Sequence, residues 1–146
     1  MDAVTQALTT GFAGEAQSYL RYILFSEKAE VDMALASTAE LTALLGEAAD
    51  TFRRLAEQER RHAIIYLEAL AGLRDTSDNV AVAIDGEIGD IAAYAGAAAA
   101  ARMDKQEKVA AVFGSVAAVE QRHAEELRVL SGRLQASQLA GRLSSS

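Results

Sequence analysis

The stretch EQERRHA at residues 57–63 contains one of the chain's two histidines, and VEQRHA at residues 119–124 contains the other. In both, a glutamate lies three residues before the histidine, as Glu59 before His62 and Glu120 before His123. Positions i and i+3 share a helix face, so each stretch directs one carboxylate and one imidazole to the same point. Because glutamate occupies about one position in eleven, both histidines would have this partner by chance in about one per cent of cases. The sequence therefore predicts two metal-binding motifs.

The rest of the chain is also predicted to be helical, because its apolar residues recur at helical spacing and it has no proline and no strand pattern. Ser37 and Glu40 form a predicted capping box at the start of the second helix, and Gly72 is the predicted C-cap. The polar segment RDTSDN is the clearest loop. The prediction is two helix pairs at about 2–72 and 79–138, a loop at 74–79, a break at 103–106 and a frayed tail at 139–146.

The composition excludes several kinds of protein. The chain has no cysteine, so disulfides, iron–sulfur clusters and thiolate zinc sites are excluded within it, and a metal must be bound by oxygen and imidazole nitrogen. A net charge of −7 argues against nucleic acid or an anionic membrane as a partner. The first ten residues do not resemble a signal peptide, and the uncharged stretches are too short to span a membrane. We expect a cytoplasmic protein.

The two remaining helices each offer a matching carboxylate. Glu15 is followed seven residues later by Tyr22, and Glu87 is followed seven residues later by Tyr94. Two helical turns return each tyrosine to the face of its glutamate, where the phenol can hydrogen-bond a ligand carboxylate. Both glutamates lie in mainly apolar stripes, and a buried, unpaired carboxylate costs several kcal/mol, which a metal would offset. The alternative for each is a solvated helix face.

The same design thus occurs twice, as a glutamate with a following tyrosine and then E-x-x-H on the next helix. One glutamate from each of two helices, with Glu-x-x-His from each of the other two, is the ligand set of di-iron and di-manganese carboxylate bundles. Four carboxylates balance the charge of two divalent ions. Mixed oxygen and imidazole ligands suit iron or manganese, and zinc can occupy such a site adventitiously.

At these residues the sequence resembles the rubrerythrin branch of the ferritin-like superfamily. The strings GFAGEAQSYLRY, AEQERRHA, the GE of AIDGEIGD, and VEQRHAEEL are similar to its four ligand-bearing segments, in order. The resemblance implies an all-α, ferritin-like four-helix bundle with a di-metal centre, built as a single domain over residues 1–146. The ligands that it implies are Glu15, Glu59, His62, Glu87, Glu120 and His123, with Asp90 where the family has an additional glutamate.

The resemblance also implies an activity. We expect a di-iron peroxidase that reduces hydrogen peroxide to water. The family's rubredoxin-like domain needs four cysteines that this chain lacks, so electrons must come from an external donor protein. The alternatives are a ferroxidase that uses oxygen and handles iron, and, more remotely, a non-enzymatic helical interaction module.

The spacing of the ligands predicts a homodimer. Glu15 and Glu59 are 44 residues apart, whereas Glu87 and Glu120 are 33 apart, so the first pair of helices should be longer, with the extra residues near 31–46. Only 25 residues lead from His62 to Glu87. In a ferritin-like fold the two helices that carry them run parallel, and the loop between them would be almost fully extended. We therefore expect helix pairs swapped between two chains.

Overall fold

The computed structural model describes the backbone of residues 1–143 and the side chains of residues 1–138. Residues 1–143 form four helices and no strand, which confirms the all-α prediction and is consistent with a ferritin-like bundle. None of these helices combines the length and apolar character that a membrane span requires. The helices are α1 (Ala3–Ala34), α2 (Ala39–Ala69), α3 (Thr76–Met103) and α4 (Glu107–Leu143).

The helices pack as two antiparallel hairpins. α1 packs on α2 to form the first hairpin, within residues 1–73, and α3 packs on α4 to form the second, from residue 74 onward. Small side chains dominate the seam of each hairpin, which lets the helix backbones approach closely. No large side chain is fully buried among the described residues. The buried positions are Ser26, Ala29, Ala49, Ala56 and Ala63 in the first hairpin, and Val80, Ala98, Ala101, Ala110 and Ala124 in the second.

These buried positions repeat between the hairpins. When Glu15 is aligned with Glu87 and Glu59 with Glu120, four buried residues of one hairpin coincide with four of the other. The matched pairs are Ser26 with Ala98, Ala29 with Ala101, Ala49 with Ala110, and Ala63 with Ala124. The extra residues of the first hairpin therefore lie between Ala29 and Ala49, at its tip, in agreement with the predicted 31–46. The packing supports two copies of one helical design.

The ends of α2 differ from the prediction in two details. The N-cap is Thr38, whose hydroxyl accepts a hydrogen bond from the backbone N–H of Leu41 at 3.2 Å, so the predicted cap at Ser37 is wrong by one residue. At the other end the left-handed position is Ala71, with φ 52°, and not Gly72. A Cβ on Gly72 would clash with the Leu67 side chain and lie 3.1 Å from the Leu67 carbonyl oxygen. Close packing against Leu67 therefore explains why residue 72 is a glycine.

The predicted loop at 74–79 is too long, because α3 already begins at Thr76. Asp75 is the N-cap and accepts a hydrogen bond from the backbone N–H of Asp78 at 3.0 Å. The residues that favour loops also favour the first turn of a helix, which is why the composition misplaced the boundary. Lys105 adopts φ 59° in the turn before α4. α4 is helical to Leu143, and residues 144–146 of the predicted frayed tail lie outside the described residues.

Candidate metal centre

The first hairpin brings together the three side chains predicted for it. Glu15 of α1 meets Glu59 and His62 of α2, and one ligand atom from each lies within 4.8 Å of the other two. His62 Nδ1 is 3.1 Å from Glu59 Oε2 and 3.7 Å from Glu15 Oε2. We call these residues the first cluster. Two carboxylates and one imidazole nitrogen that converge at this distance can hold one metal ion.

The second hairpin repeats the arrangement. Glu87 of α3 meets Glu120 and His123 of α4, again with the ligand atoms within 4.8 Å of one another. His123 Nδ1 is 2.7 Å from Glu120 Oε2 and 3.6 Å from Glu87 Oε1. We call these residues the second cluster. In both clusters the same ring nitrogen, Nδ1, faces both carboxylates, so the duplication extends to the donor atoms.

The carboxylates within each cluster are close enough to perturb one another. The pKa of Glu15 is raised, chiefly by a hydrogen bond with Glu59, and the same bond lowers the pKa of Glu59. The pKa of Glu87 is raised by Glu120 in the same way. A like-charged pair favours sharing a proton when no cation is present. A divalent ion would remove this repulsion, so the clusters have the electrostatics of a cation site.

Asp90 lies beside the second cluster without joining it. Its charge contributes to the raised pKa of Glu87, yet its carboxylate is not among the ligand atoms within 4.8 Å of one another. Its side chain is exposed. The structure does not bring Asp90 together with the second cluster, and metal binding by Asp90 stays a prediction.

Two aromatic stacks hold the register of the hairpins. Tyr22 stacks on Phe52 with ring centroids 6.0 Å apart, and Tyr94 stacks on Phe113 at 6.1 Å. Among the described side chains, no hydrogen bond joins either tyrosine to a candidate ligand. Each phenylalanine lies seven residues before the E-x-x-H glutamate, and this spacing, which occurs in both motifs, was not among the predictions.

A cavity of about 340 Å³ opens beside each cluster. The first is lined by Glu15, His62, Ile65 and Tyr66. Tyr66 was not predicted; its ring lies against Gly11, where a Cβ would be 2.9 Å from the ring. The second is lined by Glu87, His123, Glu126, Leu127 and Leu130. The side chains of His62 and His123 are 54% and 47% exposed, so small solutes can reach both clusters.

The two arginines next to the first motif form ion pairs with Glu57. Arg60 donates two hydrogen bonds of 2.9 Å to Glu57, and Arg61 donates one of 3.2 Å. These two guanidinium groups lower the pKa of Glu57 to about 2. Glu57 is two residues from Glu59 but pairs with arginines, so a substitution of Glu57 is an internal control for substitutions of the candidate ligands.

Comparison with protein families identifies the second hairpin. Residues 78–143 match the rubrerythrin family. The second hairpin is rubrerythrin-like. The match includes the whole second cluster, whereas the first cluster lies outside the matched residues and is supported by its equal geometry. No curated protein matches the sequence. The family and the two clusters together support a di-iron carboxylate protein of ferritin-like type.

Proposed function

We propose that the chain binds two iron ions, one at each cluster, and reduces hydrogen peroxide to water with electrons from an external donor protein. The observation that carries this proposal is the presence of two Glu–Glu–His clusters with the same donor atoms in a chain whose second hairpin is rubrerythrin-like. The ligands would be Glu15, Glu59 and His62 in one cluster and Glu87, Glu120 and His123 in the other.

The donor chemistry suits this pair of ions. Four carboxylates and two neutral imidazoles give a ligand charge of −4, which two ferrous ions neutralise. Oxygen and imidazole donors bind iron or manganese, and thiolates, which would favour softer metals, are absent from the sequence. When bound, an iron pair supplies the redox chemistry: hydrogen peroxide takes two electrons and two protons, its O–O bond breaks, and two waters leave while two ferrous ions become ferric.

The chain's own residues prepare this site. The pKa values of Glu15 and Glu87 are raised, chiefly by their neighbours Glu59 and Glu120, so protons compete with a cation for these two carboxylates up to a higher pH than at an ordinary glutamate. The stacks of Tyr22 on Phe52 and Tyr94 on Phe113 lie two helical turns from the ligands and keep the paired helices in register. The cavities beside the half-exposed histidines give a small oxidant access.

A stopped-flow comparison of two oxidants tests this function. Protein loaded anaerobically with ferrous iron is mixed with hydrogen peroxide or with oxygenated buffer, and the ferric absorbance is followed. The proposal predicts that peroxide oxidises the protein much faster than oxygen does. A faster reaction with oxygen would instead make the chain a ferroxidase. Glu57→Gln should behave like the parent, whereas Glu59→Gln should lose the fast phase.

A further inference from the structure

We propose that Glu126 makes the second cluster the stronger of the two cation sites, so that the first divalent ion to reach the chain binds at His123 rather than at His62. This inference rests on the proposed function, since it concerns the order in which the two clusters take up metal. It follows from a difference between the two hairpins, whose clusters consist of the same three residue types.

The two E-x-x-H motifs are followed by different residues on the helix surface. In α4 the motif continues at steps of three, as Glu120, His123 and Glu126. In α2 the residue three positions after His62 is Ile65. Residues three apart on a helix are surface neighbours, with Cβ atoms about 5–6 Å apart. The row of candidate ligands is thus extended by a carboxylate in α4 and by an alkyl side chain in α2.

The cavities beside the clusters show the same difference. The second cavity is lined by Glu126 together with two candidate ligands and two leucines. The first cavity is lined by Ile65 and Tyr66 together with two candidate ligands. Among the described residues that line either cavity, Glu126 is the only carboxylate outside the two clusters. A cation that enters the second cavity therefore meets one negative charge more than a cation that enters the first.

The charge of Glu126 is available to a cation. Its side chain is exposed, and within the described part of the chain it takes part in no ion pair. The adjacent Glu125, in contrast, lies 3.8 Å from Arg128. Exposure alone is ordinary for a glutamate on a helix surface. What distinguishes Glu126 is that it shares a cavity wall with Glu87 and His123.

One additional carboxylate changes cation binding by a measurable amount. At a separation of about 6 Å in water, a charge of −1 and a divalent cation attract with an energy that corresponds to about tenfold in the binding constant. Ile65 gives the first cluster no such attraction. When one tightly binding divalent ion is supplied per chain, a tenfold ratio of affinities places about three quarters of it at the second cluster.

Nuclear magnetic resonance of the imidazole nitrogens measures this order without using activity. The chain contains only two histidines, so each cluster has its own signal, and His62→Ala and His123→Ala assign the two signals. Zn²⁺ is the probe, because it is diamagnetic and shifts chiefly the ring that coordinates it. With one Zn²⁺ per chain at low ionic strength, about three quarters of the His123 signal and about a quarter of the His62 signal should move to the bound position.

Three single substitutions assign the preference to Glu126. Glu126→Gln removes the charge and should leave about half of the Zn²⁺ at each histidine. Ile65→Glu should also equalise the two signals, because it raises the affinity of the first cluster. Glu125→Gln is the matched control and should keep the ratio of the parent. Equal loading in the parent would overturn the proposal, and so would a preference for His123 that persists in Glu126→Gln, since that preference would belong to Asp90.

The proposed function and this inference can fail separately. If the parent loads both histidines equally, the order of loading is wrong, while two ions per chain remain for peroxide reduction. If the parent loads His123 first but its ferrous form reacts with peroxide no faster than with oxygen, the proposed function is wrong and the role of Glu126 stands.

Discussion

Glu15→Gln separates a metal ligand from a structural glutamate, because its effect should reverse sign when metal is added. In the metal-free chain, Glu15 and Glu59 are 28% and 20% exposed, and their carboxylates are within 4.8 Å of each other. Two like charges at this distance repel by about 1 kcal/mol with the screening of water. Removing one charge should therefore raise the metal-free Tm by about 3 °C for a chain of this length.

With metal the expected change is the opposite. A ligand at one hundred times its Kd stabilises the folded state by about 2.7 kcal/mol, so Co²⁺ bound at the first cluster should contribute about 8 °C to the Tm of the parent. A 100-fold loss of affinity in Glu15→Gln would reduce the contribution of this cluster to about 1 °C at the same Co²⁺ concentration. The variant should thus be more stable than the parent without metal and less stable with it.

The assay is thermal unfolding followed by circular dichroism at pH 7.5, at a fixed protein concentration, with and without Co²⁺. Glu57→Gln is the matched control, since it removes a charge that pairs with Arg60 and Arg61 and lies outside the cluster. It should lower the metal-free Tm and keep the full Co²⁺ shift. The reasoning is refuted if Glu15→Gln lowers the metal-free Tm and responds to Co²⁺ as the parent does.

Further predictions concern pH, helix ends and packing. The pKa values of Glu15 and Glu87 are raised in the folded chain above the ordinary value of 4.5. Their contribution to the stability of the metal-free chain is therefore complete below pH 4.5 and is lost as pH rises through their pKa values in the folded chain. Urea unfolding across pH should show this loss, and Glu15→Gln/Glu87→Gln should remove it. Because Ala71 and Lys105 occupy left-handed positions, Ala71→Gly and Lys105→Gly should each stabilise the chain by about 1 kcal/mol in urea unfolding. Ala124→Leu should destabilise the chain by about 1–3 kcal/mol because Ala124 is buried in the α3–α4 seam, whereas the exposed Ala118→Leu should change it by less than about 0.5 kcal/mol.

The clusters were predictable from sequence because helical spacing fixes them. Once α2 and α4 are helices, Glu59 must lie on the face of His62, and Glu120 on that of His123. The glutamates of α1 and α3 followed from the duplicated pattern. The repetition of one design thus identified Glu15 and Glu87 as candidate ligands, which a single E-x-x-H motif could not have done.

The parts that were not predictable depend on contacts between helices or on single backbone angles. Ala71 adopts the left-handed angle while Gly72 lies against Leu67, and composition alone favoured the glycine as the C-cap. Tyr66 enters the first cavity because Gly11, 55 residues earlier in the chain, leaves room for its ring. The loop before α3 was overestimated since Asp75 and Asn79 form a helix start from residues that are typical of loops.

Anomalous scattering at the iron edge tests the central claim most directly, with crystals of protein that has been loaded with ferrous iron. The proposed function predicts two iron peaks per chain, one within bonding distance of His62 Nδ1 and the two carboxylates of its cluster, and one equally placed at His123 Nδ1. Crystals that contain iron elsewhere, or in which either cluster remains empty with its side chains turned toward water, would contradict it.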